Sequence, residues 1–184
     1  MTEISGIDKD ILDEAYRRGY DYLPRWRACA PTVFAAVMET LGYEDDPVVN
    51  EIWKATIGLT GGTGNMAIGT CGAMAGAAAA ISYSFGFTQE DLEKDIIKML
   101  NVNGMVAEVG KKMQEKYGHI QCQEVQFYHW GKSYRFTNID AGIEFMKMWE
   151  NKKRDFECQE VTGDLARWAV EKILEYNPQF SKRK

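Results

Sequence analysis

The sequence lacks the local cysteine patterns that bind haem or a metal ion within a short segment. Its four cysteines stand far apart, and no two of them form a CxxC pair or a CxxCH haem-attachment site. It also has no Ser–His–Asp order, no P-loop and no HExxH pattern, which leaves hydrolytic and phosphoryl-transfer enzymes without support. No local metal site is predicted, and haem is not expected as a cofactor.

Charged residues are missing between Lys54 and Glu90, a length that could in principle span a bilayer. This segment is mostly Gly, Ala and Thr, with few of the Leu, Ile, Val and Phe residues that favour membrane insertion. A Gly/Ala helix can instead pack tightly against protein, as Gly72 and Gly76, one turn apart, would allow. The sequence therefore predicts a buried helix and no membrane span.

An excess of basic residues is also lacking. The net charge of −5 argues against a nucleic-acid partner, and the polar, acidic N-terminus predicts no signal peptide and hence a cytoplasmic protein. At 184 residues the chain is long enough for one domain with its own core. We predict an N-terminal helix over 1–24, a cysteine-bearing core over 25–176 and a flexible tail over 177–184.

Helical periodicity runs through most of the chain and predicts an all-α, single-domain bundle around the buried Gly/Ala-rich helix. The predicted caps of four helices are Asp46, Thr70, Thr88 and Thr162. The segment 119–128 is ambiguous and has some strand-like content. The predicted helices cover residues 7–23, 28–42, 47–58, 71–85, 90–100, 105–118, 138–153 and 164–176.

Three of the four cysteines stand near predicted helix starts, namely Cys29, Cys71 and Cys158. Unpaired N–H groups and the helix dipole favour an anion there, which lowers the pKa of a thiol and makes it a nucleophile or a metal ligand. Arg25 and Arg27 act in the same direction on Cys29 and are candidates for raising the redox potential nearby. The alternative is that each cysteine is a small buried hydrophobe.

The fourth cysteine, Cys122, follows His119 by three residues, a spacing at which both could bind zinc or iron. Glu124 and Glu160 each follow a cysteine by two residues and could accept a proton from a thiol. The glycines of the segment 58–69 are predicted to let this loop approach another backbone closely.

The heptapeptide CGAMAGA, which begins at Cys71, resembles the central motif of a redox-active protein family labelled C-GCAxxG-C-C. Members of that family have an early cysteine at the head of a helix and a glycine-rich loop before the central motif. Two single cysteines follow, the last of them just ahead of a final amphipathic helix. In this chain Cys29, Cys71, Cys122 and Cys158 fill these places, so the resemblance covers residues 29–174.

The resemblance implies a helical protein that is redox-active through its cysteines. A related protein, the split-Soret cytochrome, carries haem on an added CxxCH segment, which this chain lacks. Aromatic residues such as Trp130 and Tyr134 are peculiar to this chain, so the segment 127–156 is expected to differ from its relatives.

Residues and resemblance together favour a redox or electron-transfer protein in which folding gathers four thiols. The thiols would bind an iron–sulfur cluster or another metal ion, or would cycle between dithiol and disulfide. Gly72 and Gly76 would give backbone access to the site, with Arg25 and Arg27 beside it. The predicted ligands or exchangeable thiols are Cys29, Cys71, Cys122 and Cys158.

Two alternatives remain open from the sequence. The first is a structural zinc protein, and the second is a small-molecule binding module in which the cysteines only pack. The expected partner is a redox protein or a small-molecule electron carrier. Whether the chain is an oxidoreductase, and whether it forms a homodimer, is left open.

Overall fold

The computed structural model describes residues 7–152 and 157–182, and within these ranges the regular structure is helical, without a strand. This confirms the all-α fold class. No helix in the described ranges has both the length and the apolar content needed to cross a bilayer. The helices are α1 (Lys9–Trp26), α2 (Cys29–Thr40), α3 (Pro47–Thr56), α4 (Gly72–Phe85), α5 (Gln89–Lys94), α6 (Ile96–Tyr117), α7 (Cys122–Trp130), α8 (Ile139–Lys152) and α9 (Glu157–Tyr176).

The Gly/Ala-rich helix α4 lies at the centre of the bundle, as predicted. It packs against α2, α6 and α9, and most of its side chains are buried. Small residues allow this close packing: a Cβ added at Gly76 would lie 2.2 Å from the carbonyl oxygen of Ala30 in α2. The interior of the bundle is therefore built on short distances between helices, which larger side chains on α4 would prevent.

Two predicted helix starts are wrong. Thr162 does not begin the last helix, because α9 already begins at Glu157. The Thr162 hydroxyl instead lies 2.8 Å from the carbonyl oxygen of Gly19 in α1, a contact that joins the two helices. Thr70 does not cap α4, because Cys71 occupies the N-cap position of that helix.

The boundary between α5 and α6 also differs from the prediction. Asp95 ends α5, and its side chain accepts a hydrogen bond from the Ile97 N–H at 3.0 Å, which starts α6 inside the predicted fifth helix. α6 then continues through 101–104, where a break was predicted. Packing outweighs the weak helix propensity of Asn and Gly there. The buried row that continues across the predicted break consists of Val102, Met105, Val109 and Met113.

The segment predicted as a flexible tail, 177–184, contacts the bundle over its described part. The ring of Phe180 stacks on that of Tyr43 with a centroid distance of 4.6 Å, and its carbonyl oxygen accepts a hydrogen bond from the Tyr43 hydroxyl at 2.7 Å. The Lys182 N–H donates to the carbonyl oxygen of Leu41 at 3.0 Å. These contacts hold the segment against the turn that follows α2.

Candidate redox site

All four cysteines line one cavity of about 170 Å³. Cys29 is the first residue of α2, Cys71 is the N-cap of α4, Cys122 is the first residue of α7 and Cys158 is the second residue of α9. The first turn of a helix has backbone N–H groups without partners inside the helix. Folding therefore brings together four sulfurs that are distant in sequence, and each of them comes from the start of a helix.

A short antiparallel contact holds Cys71 beside Cys122. The Cys71 N–H donates to the carbonyl oxygen of Ile120 at 2.7 Å, and the Cys122 N–H donates to that of Gly69 at 3.0 Å. The ambiguous segment 119–128 thus begins with one isolated bridge and continues as α7. The strand-like residues at the beginning of this segment therefore hold the first turn of a helix in place and do not form part of a sheet.

The glycine-rich loop before α4 contacts two of the cysteines. The Gly61 N–H lies 3.5 Å from the Sγ of Cys29, and a Cβ added at Gly62 would lie 2.8 Å from the Cβ of Cys122. The five consecutive residues 61–65 all have φ between 56° and 71°, although two of them are not glycine. Such left-handed backbone costs about 1–2 kcal/mol for each non-glycine residue, so the surrounding structure must hold it in place.

Gly72 provides the space that the Cys29 sulfur occupies. A Cβ added at Gly72 would lie 2.3 Å from the Cys29 Sγ and 3.0 Å from the carbonyl oxygen of Leu59. Any side chain at this position would collide with the sulfur. Of the two glycines predicted to give backbone access, Gly72 borders the cysteines, whereas Gly76 lies one turn further along α4 and faces α2.

The two candidate arginines lie in different places. Arg27 lines the cavity, with much of its side chain exposed to solvent. Arg25 is exposed on α1, where its guanidinium lies 5.7 Å from the centre of the Tyr22 ring and borders a separate cleft beside Asp21. Arg27 is thus the arginine placed to act on charge in the cavity.

Aromatic rings form a further part of the cavity lining, which we call the aromatic wall. The ring centroid of Phe145 in α8 lies 5.1 Å from that of Phe136 and 5.6 Å from that of Tyr134. The Trp130 indole N–H donates to a carboxylate oxygen of Glu157 at 2.8 Å, next to Cys158 in sequence. The wall consists of Trp130, Tyr134, Phe136, Phe145 and Trp149.

Comparison with known proteins identifies the family of the chain. Residues 27–172 match the family model described as "Putative redox-active protein (C_GCAxxG_C_C)". The chain belongs to this family. The match contains every cysteine that lines the cavity, and it confirms the resemblance inferred from the heptapeptide CGAMAGA. No curated protein and no solved structure matches the chain.

In this C_GCAxxG_C_C protein, burial raises the pKa of all four thiols above the usual range. The pKa values of Cys71 and Cys158 are raised well above the usual range, first by burial and then by repulsion between the thiolates. The backbone N–H groups of Ala73 and Met74 lower the pKa of Cys71, as expected at a helix start. Loss of water outweighs them, so the predicted lowering of the thiol pKa values is wrong in direction.

The pKa of Cys122 predicts how this thiol reacts in the metal-free protein. Burial, followed by the charge of Cys29, raises this pKa to about 12, against a smaller lowering by Gln126. Because the thiolate is the reactive form, alkylation of Cys122 should be slow at pH 8 and accelerate about tenfold per pH unit towards pH 10. Peptide mass spectrometry after timed iodoacetamide labelling measures this rate, with urea-unfolded protein as the control. A rate that levels off near pH 9 would contradict it.

The potential metal ligands in the cavity are sulfurs. Among the residues that the structure describes, those that line the cavity include no carboxylate or imidazole, and no group of three His, Cys, Asp or Glu is placed to bind one ion. His119 is exposed, and its Nδ1 accepts a hydrogen bond from the Gln121 N–H at 2.9 Å. Glu160 pairs with Lys116 at 2.7 Å, and Glu124 contacts a neighbouring glutamine. None of these three residues lines the cavity.

Sequence reasoning missed several residues of the cavity. Gln126 stands four residues after Cys122, which places both on one face of α7. Recognising that helix would have pointed to it. Phe145 and Trp149 have the same spacing on α8, but periodicity alone does not tell which face of a helix covers a distant cysteine.

Proposed function

We propose that this protein transfers electrons and that its four cysteines bind an iron–sulfur cluster. The observation that carries the proposal is that four cysteines from four helices line one cavity. Four thiolates are the usual ligand set of one such cluster. The partner that supplies or takes up the electron would be a redox protein or a small-molecule carrier.

The electrostatics of the cavity support thiolate ligation of a cation. Four uncharged, buried thiols are poor nucleophiles at neutral pH, because the thiolate is the reactive form. A coordinating metal deprotonates the thiols that bind it, which removes this obstacle. The N–H groups at the starts of α2 and α4, beside Cys29 and Cys71, would then stabilise the negative charge. When bound, the cluster supplies one-electron redox chemistry.

We propose a cluster rather than a single zinc ion because the four thiols are spread around a cavity. Zinc holds its sulfur ligands at about 2.3 Å in a tight tetrahedron. In the described part of the chain, no three potential ligands are grouped around one point in this way. A cluster spreads its four thiolates over two or more iron atoms, so it suits sulfurs that surround a cavity.

A second candidate is a dithiol–disulfide cycle, because all four cysteines are free thiols around a shared cavity. The exchanging pair would be two of these four thiols. Two thiols would lose two protons and two electrons to an oxidised acceptor, and one S–S bond would form.

Anaerobic purification followed by iron, sulfide and zinc analysis tests the proposal. We expect iron and acid-labile sulfide with visible absorption in the wild type, and loss of most of both in Cys71→Ser. Ser82→Ala, which removes an exposed hydroxyl from the same helix, should keep them. Far-UV circular dichroism checks that each variant is folded.

Each other outcome selects one of the alternatives. Stoichiometric zinc without colour would replace the cluster with a structural zinc site. A metal-free protein in which oxidant forms a disulfide between two of the four cysteines would favour the dithiol cycle. If the protein contains neither metal nor a disulfide, and Cys71→Ser does not change small-molecule binding, the cysteines would be packing residues.

A further inference from the structure

Gln126 is a buried polar side chain beside the Cys122 sulfur. It lies on α7, one turn after Cys122, and it lines the cavity with 7% of its surface exposed. A buried amide is costly unless both of its ends are hydrogen-bonded. Its two contacts therefore show what the side chain does.

The orientation of the Gln126 amide follows from its hydrogen bonds. Its Oε1 accepts a hydrogen bond from the backbone N–H of Tyr134 at 2.6 Å. A backbone N–H can only donate, so the oxygen must face Tyr134 and the nitrogen must face the other way. The Nε2 then lies 3.4 Å from the Sγ of Cys122 and donates to it.

We infer that Gln126 is a positioning residue that donates a hydrogen bond to the Cys122 sulfur and raises the reduction potential of the redox centre. The effect on potential rests on the proposed function. Reduction adds negative charge to a cluster and its sulfur ligands, and hydrogen bonds to those sulfurs stabilise this charge. The Gly61 N–H is placed in the same way against the Cys29 sulfur.

The aromatic wall keeps this amide in place. Tyr134 is 8% exposed, and its ring lies 5.9 Å from that of Trp130 and 5.6 Å from that of Phe145. These contacts fix the segment that presents the Tyr134 N–H to Gln126. The aromatic wall is thereby linked to one sulfur of the centre.

Gln126→Glu removes the donated hydrogen bond and places a negative charge near the sulfur, and both changes lower the potential. Glutamate has nearly the same size and can still accept from the Tyr134 N–H, but its second oxygen cannot donate to sulfur. We expect the equilibrium constant for one-electron reduction to fall at least about tenfold, as for other hydrogen bonds to charged groups. Redox titration of the iron-loaded protein, followed by visible absorption, measures this shift.

Gln123→Glu is the matched control. It makes the same change in charge three residues earlier on α7, where the side chain contacts Arg135 rather than a sulfur. Its potential should shift far less than that of Gln126→Glu. Gln126→Met, which removes both hydrogen bonds without adding charge, should also lower the potential and serves if the glutamate variant does not fold.

The outcomes separate this inference from the proposed function. A loaded Gln126→Glu protein with the wild-type potential, or with the same shift as Gln123→Glu, overturns the inference and leaves the cluster standing. If the wild type binds no cluster, the proposed function fails, and the hydrogen bond from Gln126 to the Cys122 sulfur is tested in the metal-free protein instead. Alkylation of Cys122 at pH 9 should then be several-fold slower in Gln126→Glu than in Gln123→Glu, and equal rates overturn the inference.

Discussion

Gly72→Ala is expected to weaken metal binding at the redox centre by about 10- to 100-fold, the range found when residues that orient metal ligands are replaced. The new Cβ would lie 2.3 Å from the Cys29 Sγ, a distance that real atoms do not tolerate. The sulfur sits at the end of a short side chain and can rotate away. The collision is therefore relieved mainly by moving a ligand out of the cavity.

Iron and sulfide content per protein, measured after anaerobic purification, tests this expectation. Gly110→Ala is the control, because its Cβ would meet the end of the flexible Met74 side chain at 3.5 Å. That variant should bind as much iron as the wild type. Wild-type loading of Gly72→Ala would mean that the Cys29 sulfur does not belong to the centre.

Helix starts are well predicted where the chemistry is local. Asp46 accepts hydrogen bonds from the N–H groups of Val48 and Val49 at 3.0 and 3.3 Å and caps α3 as expected. Thr88 and Asp91 form the predicted reciprocal capping box of α5. In both cases the residues that decide the structure lie within four positions of each other, so the sequence alone is enough to predict the helix start.

Prediction fails where a distant contact decides the structure. Asn and Gly at 101–104 predict a break, yet α6 continues because its buried face packs against the bundle. The prediction of a lowered pKa for Cys71 fails for a related reason. Its place at a helix start is visible in the sequence, but the burial that reverses the shift depends on segments that are distant in sequence.

The candidate site was partly predictable. The family pattern points to all four cysteines and the predicted helix starts point to three of them, and the structure places all four around one cavity. Arg25 and Arg27 were equivalent candidates in the sequence, and the end of α1 at Trp26 separates them in space. The contact of Gln126 with Tyr134 depends on how the chain turns after α7, which periodicity does not specify.

Gly76→Ala is expected to lower the free energy of unfolding by about 3 kcal/mol, at the upper end of what one extra methyl group costs in a packed core. The added Cβ would lie 2.2 Å from the carbonyl oxygen of Ala30. That oxygen belongs to the backbone of α2 and cannot rotate away, so α2 and α4 would have to separate. Urea unfolding of the metal-free protein measures the change without any contribution from a bound group.

Gly104→Ala controls for the substitution itself. Apart from the backbone of α6 itself, no atom of the described residues lies within 4 Å of the added Cβ, so this variant should gain about 0.5–1 kcal/mol from helix propensity. If the free energy of unfolding falls in Gly76→Ala and rises in Gly104→Ala, contact between α2 and α4, rather than loss of glycine, causes the effect. Gly76→Ala should also lose metal, because Cys29 and Cys71 begin the two helices that separate. Unchanged stability would mean that these helices are further apart than described.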